Sequence, residues 1–338
     1  MTIRGAFGEG IRRVNKAPAI LAGVLLLTFL VALPLGVTLR GMLGDHLGSS
    51  LAARTATSGV NYDWWQEFSA QATGVGSSFA PTIVGFAAVL ANLSAMADNR
   101  AQAPVVAAAG VAYVLLWILL AGGILDRFAR NRPTRASGFF SACGVFFFRF
   151  LRLALVALCA YWLLYAYVHA WVFDHLYPWL TRDFTVERNA FVVRSLLYAV
   201  FGALLLTCNV VFDYAKIRAV VEDRRSMIGA LLAAARFVVR HPGPVAGLYL
   251  LNGLAFLLVI VAYAMVAPGA GGPGWSMWAG LLVSEIYLLA RLWVKLVFYA
   301  SQTTLFQGTM AHAEYIAAPQ PVWPESPAAE AMGAPPSA

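Results

Sequence analysis

Charge is scarce in this sequence. Asp, Glu, Lys and Arg make up 12% of the 338 residues, whereas 60% are hydrophobic. Soluble domains carry about 25% charged residues, so this composition argues against a soluble protein and for a polytopic membrane protein. The formal net charge of +8 does not make nucleic acid an expected partner, because Lys and Arg accumulate in the cytoplasmic loops of membrane proteins.

The motifs of common catalytic and metal sites are also missing. The sequence has no G-x-S-x-G, no H-E-x-x-H and no Walker loop, and its five histidines are scattered. Three cysteines lack metal-ligand spacing and are expected to be small buried residues: Cys143, Cys159 and Cys208. Only residues 40–102 form an aqueous segment long enough for catalysis, so we expect neither an enzyme nor a cofactor or metal.

Long apolar runs are what the sequence does have. A membrane-spanning helix needs about 20 apolar residues. Six runs qualify, at about 18–39, 103–125, 150–173, 191–213, 243–266 and 277–299. The first follows a basic flank, as in a signal peptide, but it continues through Val37 with no small-residue cleavage site close behind. We therefore predict an all-α fold, a polytopic bundle of six transmembrane helices with an uncleaved first span.

The distribution of basic residues predicts how the spans are oriented. Four lie before the first span, six at 126–152 and six at 214–241. The connections 40–102, 174–190 and 267–276 hold three, two and none. Because Lys and Arg mark cytoplasmic loops, both termini are predicted to be cytoplasmic.

Two segments outside the spans have distinct compositions. Residues 81–96 are apolar but too short to span, so we expect an interfacial or re-entrant helix within the exported loop 40–102, or else a soluble loop with a small core. Trp64 and Trp65 suit a membrane–water boundary. The proline-rich segment 317–338 is predicted to be a disordered cytoplasmic tail, which leaves 1–316 as the membrane domain.

One sequence unit recurs along the chain. Residues 5–27 align without gaps with 229–251 at nine identical positions, and 138–160 align more loosely. Each copy is an amphipathic stretch, suited to the headgroup plane, that runs through a basic residue into a span. We predict three parallel helical hairpins, each preceded by an interfacial helix; the alternative is convergent composition. The equivalent polar positions inside the spans, expected to bond between helices, are Thr28, Tyr161 and Asn252.

The last span is unusual because it contains a carboxylate, Glu285. An isolated carboxylate in hydrocarbon is costly, so Glu285 should face the interior, be paired or be protonated. Arg194 and His169 lie at comparable depth, near the exported ends of their spans, and are its predicted partners. The alternative is a structural bond from Glu285 to a backbone or hydroxyl group.

Complementary charges occur at the inner ends of the outbound spans. Asp126 and Asp213 end the second and fourth spans, whereas the sixth offers Arg291 and Lys295, which share one helix face. We predict an ion-pair lock between these acids and bases that fixes helix register. The alternative is that the two basic side chains snorkel to the headgroups.

Three segments carry a family resemblance: "GALLAAARFVVRHPGPVAGLYLLNGL", "DRFARNRPTRASGFFSACGVFFFRFLRL" and "ARLWVKLVFYASQTTLF". Together they resemble a broad group of uncharacterised bacterial six-span membrane proteins, similar to the membrane domain fused to some glycerophosphodiester phosphodiesterases. The resemblance covers about 1–310. It implies an inner-membrane protein linked to lipids or the envelope, but no activity, because a phosphodiesterase catalytic domain is lacking.

The sequence favours a non-enzymatic protein that acts as an envelope scaffold, or that binds or translocates a lipid or amphiphile between its hairpins. Membrane lipids and other envelope proteins are the expected partners. A proton-coupled small-solute transporter using Glu285 is the second hypothesis. A membrane-embedded lipid-modifying enzyme is the third.

Overall fold

Helices account for the regular structure of the chain. The computed structural model describes residues 2–48, 50–54, 61–80, 86–101, 104–267 and 274–312, and no strand occurs within those ranges. The helices are α1 Ile3–Asn15, α2 Pro18–Gly48, α3 Tyr62–Gln71, α4 Phe86–Ala97, α5 Pro104–Arg130, α6 Ala136–Leu163, α7 Tyr177–Thr181, α8 Glu187–Val221, α9 Met227–Arg240, α10 Pro242–Val266 and α11 Trp275–His312. Two π-helical segments, Leu164–His169 and Trp171–Leu176, join α6 to α7.

Five stretches of helix are long and apolar enough to cross a membrane. They are Pro18–Gly48, Pro104–Arg130, Ala136–Thr181, Glu187–Val221 and Pro242–Val266. Each contains one predicted span, which confirms the all-α, membrane-type fold. The sixth predicted span, 277–299, lies within α11, which is not among the five. The count of six therefore stays a prediction.

Local signals explain where the amphipathic helices α1 and α9 begin and end. The Thr2 hydroxyl accepts a hydrogen bond from the Gly5 N–H at 3.2 Å, and Ser226 does the same for Gly229. Each hydroxyl thus caps a free N–H of the first turn. The next helices, α2 and α10, start at Pro18 and Pro242, because the first turn of a helix tolerates proline.

Three amphipathic segments each pack on the end of a long helix. α1 lies against α11, where Gly10 contacts Ser301. The first half of α6 lies against α5, where Cys143 packs on Gly123. α9 lies against α8, where the rings of Phe237 and Tyr214 are 5.1 Å apart. We call this side of the bundle the docked end and the opposite side the open end.

The buried core lies at the docked end. It is built mainly from 117–128 of α5, 210–220 of α8 and 292–306 of α11, with the inner faces of α1 and α9. Away from the docked end the helices bury fewer side chains. Helix α2, for example, buries only Val24. Apolar side chains such as Leu158 and Val200 are exposed, so the fold presents a wide apolar surface suited to lipid.

The structure also bears on smaller predictions. Cys143 is buried, but Cys159 is exposed, so the expectation that all three cysteines are buried was wrong; Cys159 lies on the apolar outer surface of α6. The helix expected at 81–96 corresponds to α4, whose predicted first residues, 81–85, lie outside the described residues. The tail 317–338 also lies outside them.

Trp64 takes part in a small aromatic cluster with His46 and Phe68. Its indole N–H donates to Nδ1 of His46 at 2.9 Å, and its ring stacks on Phe68 with centroids 5.4 Å apart. Trp65 donates to the carbonyl oxygen of Phe79. This segment therefore has a small core of its own, which ties α3 to the end of α2.

Candidate functional site

A cavity of about 460 Å³ lies at the open end, between the turn after α4, the π-helical segments and α8. Charged groups of both signs line it together with aromatic rings. The charged residues are Asp98, Arg100, Asp174 and Arg194. The rings include those of His169, Phe173, Tyr177 and Tyr198.

The end of α4 places Asp98 and Arg100 at this cavity. Asn99 adopts the left-handed conformation with φ of 51°, and the Arg100 N–H donates to the Ala95 carbonyl oxygen at 2.9 Å. This is the bond pattern of a Schellman cap, which Asn tolerates well. The cap reverses the chain, so that Asp98 faces α8.

Asp98 is the centre of a polar cluster. The Tyr198 hydroxyl donates to Oδ1 of Asp98 at 2.5 Å, and Arg100 Nη2 lies 3.0 Å from Oδ2. Arg194 Nη2 lies 3.7 Å from Oδ1. The hydrogen bond from Tyr198, with help from the two arginines, holds the pKa of Asp98 below its usual range. The carboxylate is therefore ionised near neutral pH.

Arg194 completes the cluster from α8. It lies one turn before Tyr198 and donates to the Tyr198 hydroxyl at 3.1 Å. Its guanidinium carbon lies 5.7 Å from the ring centroid of Tyr177, within cation–π range. About half of its side chain remains exposed, so this cation is available to a ligand in the cavity.

The π-helical segments bring His169 and Phe173 to the same wall. His169 is buried, and its Nε2 lies 2.8 Å from the Ala97 carbonyl oxygen, where Nε2–H donates. The Phe173 ring lies 4.5 Å from His169 and 4.5 Å from Tyr198. An i→i+5 turn rotates side chains off the regular helical face, and such turns are frequent at functional sites.

The structure brings together two of the three residues expected at the exported-side cluster. Arg194 and His169 both line the cavity, but Asp98 supplies the carboxylate instead of Glu285. Glu285 is half-buried on α11. Within the described part of the chain it forms no ion pair or hydrogen bond through its side chain.

A second polar cluster lies at the docked end around Asp213. Lys216 Nζ is 2.6 Å from Oδ1 of Asp213, and the Tyr249 hydroxyl donates to Oδ2 at 2.8 Å. Asn209 donates to the same tyrosine hydroxyl and accepts from Tyr161 at 3.5 Å. One carboxylate therefore connects α6, α8 and α10.

The predicted lock between outbound helices is not the pairing that the structure has. Asp126 pairs with Arg130 at 2.8 Å, one turn away on α5, as Asp213 does with Lys216 on α8. Neighbours at i+3 or i+4 reach a carboxylate without crossing between helices. Lys295 lies over the Trp117 ring instead, with Nζ 3.3 Å from the centroid, and Arg291 is exposed.

The equivalent polar positions of the repeat differ in their contacts. Asn252 of α10 donates to Ser301 Oγ of α11 at 3.0 Å, and Tyr161 of α6 donates to Asn209 of α8. Thr28 of α2 has a buried hydroxyl that finds no partner among the described residues. At two of the three positions the side chain therefore joins two neighbouring long helices, α10 to α11 and α6 to α8.

Comparison with known proteins adds no family: no family model, curated protein or solved structure matches this chain. Among the described residues, no group of three or more His, Cys, Asp or Glu is placed to hold a metal ion. What the open-end cavity offers chemically is a pair of arginines beside two carboxylates and aromatic faces. That set suits a ligand that carries both charges.

Proposed function

We propose that this chain is a non-enzymatic integral protein of a bacterial inner membrane that binds the headgroup of a zwitterionic phospholipid in the open-end cavity. The observation that carries the proposal is the lining of unlike charges. Arg194 and Arg100 suit a phosphate, because guanidinium groups bind its oxygens in pairs. Asp174 is exposed and forms no ion pair among the described residues, so it suits an ammonium group, as do the faces of aromatic rings.

The apolar surroundings of the cavity support a lipid over a soluble solute. Apolar side chains of α8 and of the π-helical segments, which form the cavity walls, are exposed, among them Leu196, Val200 and Trp171. Acyl chains would lie along such surfaces while the headgroup enters the cavity from the side. A soluble zwitterion has no acyl chains and would gain no binding energy from those apolar surfaces.

The proposal also includes the orientation of the chain in the membrane and the presence of three repeated units. The docked end is cytoplasmic, the open end is exported, and α11 is the sixth span. Three parallel units are supported by the way in which α1, α9 and the first half of α6 each pack on a long helix. They are also supported by the aligned positions Gly10, Cys143 and Ala234, all of which are buried.

Thermal unfolding of the purified protein in detergent, with and without added phosphatidylethanolamine, tests this function. A ligand of the folded state adds about 2.7 kcal/mol at a hundred times its Kd, so the lipid should raise Tm. Arg194→Gln removes the exposed cation and should abolish most of that rise. Arg182→Gln, an exposed arginine outside the cavity, should keep it. Equal lipid responses in the two variants would contradict the proposal.

A further inference from the structure

Positive charge is in excess where α5, α8 and α11 meet. Lys216 of α8 lies over the Tyr299 ring of α11, with Nζ 5.3 Å from the centroid, and Lys295 and Arg291 follow one and two turns earlier on α11. Asp213 is the carboxylate of this cluster, and Lys216 and Tyr249 occupy both of its oxygens. In the described part of the chain, neither Arg291 nor Lys295 forms an ion pair, and Asp213 is the carboxylate whose charge acts on Lys295.

The Lys295 amine and the Trp117 indole meet where α5 packs on α11, one turn from Arg291. Arg291 and Lys295 are one turn apart and lie on the same face of α11. The Lys295 amine rests on the Trp117 ring of α5 and lies 5.6 Å from the centroid of Tyr113. The Trp117 indole N–H is buried and has no acceptor among the described residues. Two cations and one N–H donor therefore lack an acceptor at the same place.

The depth of Arg291 makes this shortage costly. Arg291 precedes Ser301, where the interfacial helix α1 docks, by ten residues, or about 15 Å along the axis. Interfacial helices lie at the headgroup layer, so Arg291 would face hydrocarbon well below it. An exposed charge at that depth is stabilised when the bilayer thins around it, which brings lipid phosphates and water down to the charge.

We propose that Arg291, Lys295 and the Trp117 indole N–H hold the phosphate of an anionic phospholipid from the cytoplasmic leaflet. Arg291 would bind two phosphate oxygens, and Lys295 would supply a point charge. The lipid should be anionic because Asp213 is already engaged and leaves nothing to bind an ammonium group. Apolar side chains on the part of α11 that precedes Arg291, including Leu281 and Ile286, are exposed and would contact the acyl chains. This site shares only the membrane orientation with the proposed function.

Titration of the detergent-purified protein with phosphatidylglycerol, followed by native mass spectrometry, tests this site. Arg291→Gln with Lys295→Gln should weaken phosphatidylglycerol binding by roughly thirtyfold, the factor for two basic residues near anionic lipid. Arg182→Gln, at an exposed arginine far in sequence from Arg291 and Lys295, should leave it unchanged. The double variant should keep its response to phosphatidylethanolamine, which separates this site from the proposed function.

The Tm of the double variant without lipid is the control for folding. It should not fall, because the variant removes from an apolar setting two charges that form no ion pair. Trp117→Phe keeps the aromatic face, removes the N–H and should weaken phosphatidylglycerol binding less than the double variant does. The proposal is wrong if the double variant binds phosphatidylglycerol as the wild type does. It is equally wrong if inorganic phosphate displaces the lipid at millimolar concentration, since the site would then bind free phosphate.

Discussion

Single residues connect the helices at the docked end. Asp213 contacts Lys216 on its own helix and Tyr249 of α10, and through Asn209 it reaches Tyr161 of α6. The desolvation cost of a buried carboxylate with this many partners is offset as long as each partner is present. Removing the charge leaves Lys216 unpaired in a largely buried position, which is strongly unfavourable.

Asp213→Asn should therefore destabilise the protein by about 3–5 kcal/mol, the usual effect of breaking a buried ion pair. Thermal unfolding in detergent measures it. Asp183→Asn, whose partner Arg182 is exposed, is the matched control and should change Tm little. A shift for Asp213→Asn as small as that of Asp183→Asn would show that the network adds no stability.

The residues of the candidate site were only partly predictable. Arg194 and His169 stand out because ionisable groups inside apolar runs are rare and mark function. Asp98 was missed, although the sequence Asp98–Asn99–Arg100 after an apolar segment signals a helix end with Asn in the left-handed position. The partner of Glu285 could not be derived, because it depends on how each helix is rotated about its own axis.

Glycines decide how closely the helical elements pack. A Cβ at Gly10 would lie 2.7 Å from the Ser301 Cβ and 2.8 Å from its backbone nitrogen. Backbone atoms cannot move aside as a flexible side chain can, so α1 would have to shift away from α11. Gly8, two residues earlier on the same helix, has open space around its Cβ position.

Gly10→Ala should accordingly destabilise the docked end by about 1–3 kcal/mol through overpacking. Gly8→Ala is the matched control and should stabilise α1 by up to about 1 kcal/mol, because alanine favours helix over glycine. Thermal unfolding of both variants checks this pair. Equal Tm values would mean that α1 does not pack closely on α11.

Hydropathy predicted the position of the long helices better than their length. α8 continues past its predicted span to Val221, and α11 is helical to His312. These extensions are buried by protein rather than by lipid, so they need no long apolar run. The π-helical segments were also unpredictable, because apolar side chains suit either helix type in a membrane.

The whole molecule combines a tightly packed end with a loosely packed one. Basic residues are concentrated at the packed end, in the turn after α5 and in the turn after α8. If that end is cytoplasmic, the cavity with Asp98 opens toward the other side of the membrane.

Cysteine labelling with a membrane-impermeant maleimide tests this orientation in a background with Cys143, Cys159 and Cys208 replaced by alanine. In intact spheroplasts the Asp183→Cys variant should be labelled. The Thr134→Cys variant should react only after permeabilisation. The reverse pattern would overturn the orientation and place both proposed lipid sites in the opposite leaflets.

One difference among the three amphipathic segments has mechanical consequences. α1 and α9 are separated from the helices that follow by breaks at Pro18 and Pro242, whereas the equivalent position on α6 is Leu151 and the helix continues through it. α1 and α9 are therefore each joined to the next helix through a break, whereas the first half of α6 is continuous with the second half. From Phe146 to His169 this continuous helical segment is about 35 Å long. A tilt of the docked-end half of α6 would therefore displace the cavity wall that carries His169 and Phe173, which connects the two ends of the molecule through one helix.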